Sequence, residues 1–70
     1  MTAHLAMDNR KIYCKLSGYS DALREDLLTK IPLRKRRWDG RRWIVDLAEV
    51  ETLQRILAAH RILSVWEARS

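Results

Sequence analysis

Two tryptophans and six basic residues share thirteen consecutive positions. Between Ile31 and Trp43 lie Arg34, Lys35, Arg36, Arg37, Arg41 and Arg42, with Trp38 among them and Asp39 as the only acid. This segment carries the whole net charge of +5, because the rest of the chain holds eight basic and eight acidic residues. Guanidinium forks pair well with phosphate oxygens, and indoles stack on unpaired bases. A charge run is also what a solvated face looks like. A neutral body with one basic ribbon is nevertheless the pattern of a surface that meets a polyanion.

Other chemistries lack their residues. One cysteine, Cys14, with His4 and His60 far apart gives no ligand set for zinc. Ser17, Ser20 and Cys14 have no base partner readable from the sequence, so nucleophilic catalysis has no support. Asp21, Glu25 and Asp26 read as the acidic start of a helix. There is no Gly-rich loop ending in Lys-Ser/Thr, hence no nucleotide-hydrolysing loop. A non-enzyme without metal or cofactor is expected.

The elements that must position the basic ribbon follow from local patterns. Met1 to Arg10 shows no clear period and is expected to be a flexible lead-in. Lys11 to Leu16 alternates, Ile12, Cys14 and Leu16 against Lys11, Tyr13 and Lys15, which predicts a half-buried strand. Ser20 caps a helix carrying Leu23, Leu27, Leu28 and Ile31, and Pro32 stops it. Leu33–Trp38 and Arg41–Val45 flank Asp39-Gly40, a strong hairpin signal. A two-residue turn would pair Trp38 with Arg41, and a four-residue loop would pair it with Trp43. Either way the two tryptophans share a face. With the shorter turn, Lys35, Arg37 and Arg42 take the opposite face, beside Lys11, Tyr13 and Lys15. Trp43 is expected in the core with Val45, and Trp38 partly exposed. Asp46 caps a second helix with Glu49 in a capping-box position. Leu47, Val50, Leu53, Ile56 and Leu57 make its apolar stripe. Ile62 to Trp66 alternates again as a short last strand.

The order is therefore β-α-β-β-α-β in one domain spanning residues 11–70. The economical arrangement is an α+β two-layer sandwich, ferredoxin-like, with a small mostly antiparallel sheet and both helices on one face. A variant without the last strand is the alternative. At 70 residues the chain buries only about 60% of the surface its unfolded form exposes, which leaves little room for an enclosed catalytic cavity.

The stretch from Leu27 to Leu53 resembles the HARP (HepA-related protein) domain of annealing helicases. The shared features are Ile31-Pro32 at a helix end, Arg34 to Arg37, Trp38-Asp39, Trp43, Ile44-Val45 and a leucine-bearing helix from Val50 to Leu57. The resemblance covers roughly Tyr19 to Val65. It implies a helicase-accessory DNA-binding module. This chain departs from the family in having only four residues between the tryptophans, Asp39-Gly40-Arg41-Arg42, where the family has a longer connection often containing Asp-Pro. Trp38-Asp39-Gly40-Arg41 is also similar to the N-terminal DNA-binding domain of a phage recombination helicase.

These readings converge on a nucleic-acid-binding module, with DNA single strands or junctions as the expected partner. Arg34, Lys35, Arg36, Arg37, Arg41 and Arg42 would hold phosphates with Lys15 beside them, and Tyr13 or Trp38 would stack on bases. The competing reading is a small protein-interaction or inhibitor factor, phage- or mobile-element-like, docking on an acidic protein. There Trp66, Ile62 and Ile44 would form an apolar patch or a homodimer face. Trp66, if outward, would otherwise extend the stacking platform. The chain shows no signal peptide and no apolar run near the ~18 residues of a membrane span, so a cytoplasmic setting is expected.

Overall fold

Thr2–Met7, expected to be a loose lead-in, is strand β1, and it lies inside the sheet. Its inward residues, Ala3 and Leu5, are completely buried. The computed structural model describes residues 1–67, so the last three positions of the expected 11–70 domain lie outside the described residues. After β1 come β2 (Lys11–Leu16), α1 (Asp21–Lys30), β3 (Arg36–Trp38), β4 (Trp43–Asp46), α2 (Val50–Ala59) and β5 (Leu63–Trp66).

The five strands form one mixed sheet in the order β3-β4-β2-β1-β5. All neighbours are antiparallel except β1 and β5, which run parallel. The β-α-β-β-α-β succession and the two helices on one side hold from β2 onward. The ferredoxin-like strand order does not, because β1 occupies the place between β2 and β5. The physical reason is pairing. β2 offers one edge to β4 and the other to β1, so β5 meets β1 instead.

Alternation divides the sheet into two faces. Ala3, Leu5, Ile12, Cys14, Trp43 and Val45 point to the helices and join Leu23, Leu27, Ile31, Leu53, Ile56, Leu57 and Ile62 in one apolar core. No polar or charged residue is buried among the described residues. Burial pushes the Cys14 thiol up to about 11, which makes it a packing residue with no reactive thiolate near neutral pH.

Local chemistry sets the helix ends. Ser20 Oγ accepts from Leu23 N at 3.3 Å, as the cap pattern predicts. Asp46 also caps, but its side chain accepts from Ala48 N, and the chain first makes a 3₁₀ turn (Leu47–Glu49) before α2 begins. His60, at the end of α2, reaches back to α1, with Nε2 2.6 Å from Asp26 Oδ2. It is thus a tie between the helices and more than a surface residue.

Leu33 to Lys35 is not strand. After Pro32 the chain makes a 3₁₀ turn there, and only Arg36–Trp38 pairs with β4. The two ends of the sheet differ accordingly. β3 is a three-residue edge dressed in arginine, whereas β5 at the far edge exposes Leu63, Val65 and Trp66.

Candidate nucleic-acid interface

The basic hairpin closes through a four-residue loop, not a two-residue turn. Trp38 pairs directly with Trp43, and Asp39 N donates to Arg42 O at 3.2 Å. The aspartate side chain explains the choice. Asp39 Oδ1 accepts from both Arg41 N and Arg42 N, at 2.9 and 2.8 Å, and so satisfies two loop donors that a type I′ turn would not present. These hydrogen bonds hold its carboxyl below the usual carboxylate range, with the Arg42 guanidinium adding to the effect. A lowered carboxyl contributes stability that is present above its unfolded value and is lost as pH falls through the folded one. This small stabilisation should therefore be lost only in acid, below about pH 4, and the neutral carboxyl still keeps an oxygen that can accept from the loop.

The first hairpin uses the same device. Asp8 Oδ1 accepts from Arg10 N and Lys11 N at 2.9 and 2.8 Å, and Asp8 N donates to Lys11 O at 3.0 Å. Asp8-Asn9-Arg10-Lys11 and Asp39-Gly40-Arg41-Arg42 are two copies of one loop chemistry, an aspartate followed by a turn residue and two cations. That repeat was the sequence signal for the missed strand β1.

Gly40 stands at φ +95° with open space where a Cβ would be. Its requirement is conformational and not steric crowding. Gly40→Val should cost on the order of 1–3 kcal/mol, read as a lowered melting temperature. Asp39→Asn should change little, since an amide oxygen can still accept from both loop N–H groups. A Gly40→Val protein as stable as the parent would show that the loop relaxes without penalty.

The expected site residues fall into two groups on opposite sides of the sheet. On the face without helices, Tyr13 and Ile44 are register neighbours and Arg37 pairs with Ile44. Lys15 is exposed there beside His4. Tyr13 is not an open stacking surface. The Arg42 guanidinium lies 4.4 Å from its ring centre, and its hydroxyl donates to Asp8 Oδ2 at 2.8 Å. Arg42 in turn places Nε 3.3 Å from Asp39 Oδ2. Asp8, Tyr13, Arg42 and Asp39 thus form a chain of contacts across this face, joining the two hairpin loops.

On the helix side, Trp43 is buried as expected and Trp38 is 52% exposed, their ring centres 5.2 Å apart at 53°. Arg36 is also committed to structure. Its Nε donates to Ile31 O at 2.9 Å and its Nη2 to Leu28 O at 3.3 Å, so it covers the carbonyl end of α1. Lys35 is half-buried; the Asp46 carboxyl is lowered chiefly by the hydrogen bond from Ala48 N, with Lys35 and then Lys11 adding to the effect. Arg34, Arg37 and Arg41 remain exposed, and none of them makes an ion pair among the described residues. Within the Ile31–Trp43 ribbon they are the guanidiniums left free for a partner.

Trp66 does not extend the platform. It pairs in register with Leu5 at the far edge and faces the helix side. Ile62 is buried, and Ile44 lies on the other face, so these three residues do not make one apolar patch. Among the described residues no group of three or more His, Cys, Asp or Glu could hold a metal ion, and no helix is long and apolar enough to cross a membrane.

Compared with known protein families, curated proteins and solved structures, the chain matches none. Its function must be argued from its own residues.

Proposed function

We propose that the chain is a small, non-enzymatic nucleic-acid-binding module that engages DNA single strands or junctions through its basic hairpin. One observation carries this reading. The segment holding the entire net charge folds into a short sheet edge with its flanking turns, where Arg34, Arg37 and Arg41 are exposed and the last two share a groove with half-exposed Trp38. Phosphates would meet the three free guanidiniums, and the indole would meet a base. Nothing in the arrangement resembles a base-edge code, so binding would tolerate sequence. The sequence resemblance to the HARP domain implies the same and would set such a module beside a helicase. The 3₁₀ turn serves the role by turning Arg34 out to solvent just before the strand.

The test is a tryptophan-fluorescence titration with single-stranded DNA, duplex DNA and RNA at several salt concentrations. Each neutralised phosphate contributes about −0.7 to the slope of log affinity against log salt on single strands. The variant Arg34→Ala/Arg37→Ala/Arg41→Ala should flatten that slope by about 2 and leave the fold intact. Arg36 is unsuited to this test, because its loss uncovers the end of α1. A folded triple variant with the parent's affinity and slope would refute the assignment.

A protein-interaction module is the second reading. Leu63, Val65 and Trp66, exposed on edge strand β5 away from the charge, favour it. In that case no polymer binds, and β5 is where a partner would be sought.

A further inference from the structure

Beside Trp38 lies a groove of about 550 Å³ between α1 and the hairpin. Its walls are aromatic and aliphatic, with Tyr19, Trp38 and Trp43 joined by Leu28 and Leu33. Arg24, Arg36, Arg37 and Arg41 border it, and no carboxylate lines it among the described residues. Tyr19 and Leu33 are 73% and 76% exposed, so two of the lining side chains stand mostly in solvent. Tyr19 is further fixed by its hydroxyl, which donates to Asp21 Oδ1 at 2.6 Å.

We propose that this groove, and not the helix-free face of the sheet, seats an unpaired nucleobase, with the adjoining phosphates held by Arg41 and Arg24 at its rim. This rests on the nucleic-acid reading above and adds where the base goes and why single strands are preferred. Three features argue for the occupant. A largely apolar groove with aromatic walls suits a planar ring. Four cations without a lining acid suit a ligand that is apolar in one part and anionic in the next. The size fits one nucleotide unit within the ordinary range of ligand pockets. The opposite face is poorly suited, because Tyr13 is already covered by Arg42. A base enters the groove only when unstacked and unpaired, so duplex should bind more weakly than single strand.

The experiment compares hexathymidylate with an abasic deoxyribose-phosphate hexamer of equal charge. Base-bearing strands should bind roughly 10-fold tighter or more, and amide shift changes should centre on Tyr19, Leu28, Leu33 and Trp38. Leu33→Ser, at an exposed position, should keep the parent's melting curve and its affinity for the abasic hexamer while narrowing the ratio. Trp38→Leu should narrow it further. Equal affinity for the two hexamers, or shifts confined to Tyr13, Lys15 and Ile44, overturns the groove and leaves polyanion binding standing. Absence of binding to either hexamer overturns both readings. A Glu-Tyr-Glu peptide that competes as well as hexathymidylate also overturns the proposal, by assigning the groove to an acidic protein segment.

Discussion

Trp43→Ala is expected to unfold the protein or to destabilise it by about 3–5 kcal/mol. Trp43 is 7% exposed and belongs to the same core as Cys14, Val45 and Leu27. Truncating it leaves a void the size of an indole under the hairpin, at the junction of β4, β2 and α1. Neighbouring side chains cannot close such a void without moving the sheet. A domain of this size holds a reserve of similar magnitude, so little would remain. Trp38→Ala gives the contrast. Trp38 touches Trp43 but is half in water, so its loss removes one face of a ring contact and little buried volume. Thermal and urea melts of the two variants should differ widely, with Trp38→Ala close to the parent. A larger loss at Trp38 would exchange the two roles and remove the base-stacking argument, because the exposed indole would then be the structural one.

The sequence made legible whatever a short window determines. The alternation of Ile12, Cys14 and Leu16, the cap at Ser20, the stop at Pro32 and the Asp39-Gly40 hairpin are all local, and each is present in the fold. The loop length was open because two competing pairings kept the tryptophans on one face. The Asp39 side chain decided between them by taking two backbone donors. β1 was hidden because its inward positions are a small Ala3 and a single Leu5, too weak a stripe to register as period two. The strand order was illegible for a different reason. It depends on which edges β2 offers to partners far along the chain, and no local period encodes that. At the site, the charge ribbon was plain in the sequence, but the occupation of individual members was not. Arg36 is taken by carbonyls of the helix that precedes it, Arg42 by Tyr13 and Asp39. Tyr19 and Arg24 were missed because only the packing of α1 against the hairpin brings them to the groove. An aromatic just before a capped helix, followed by an arginine in its first turns, was the available hint.

Removing Met1–Met7 should abolish cooperative folding. A chain whose first ten residues were a lead-in would survive that truncation, so the experiment separates the two pictures. β1 lies between β2 and β5 and hydrogen-bonds to both. Without it, β5 has lost its sheet neighbour, and the end of α2 has nothing to return to. Ala3 and Leu5 are at 0% exposure, so their loss also opens the core beneath Ile12 and Cys14. A single large-to-small change at such a position costs roughly 2–5 kcal/mol, and here a whole ladder of backbone hydrogen bonds is lost with it. The sum exceeds what a small domain has in reserve, roughly 5 kcal/mol at best. The truncated protein should give collapsed amide dispersion and no sharp thermal transition. Leu5→Ala alone should show an intermediate loss, which guards against ascribing the result to truncation as such. Cooperative melting of the truncated chain near the parent's temperature would mean that β2 pairs directly with β5. That would restore the ferredoxin-like order, with the first hairpin as an accessory to it.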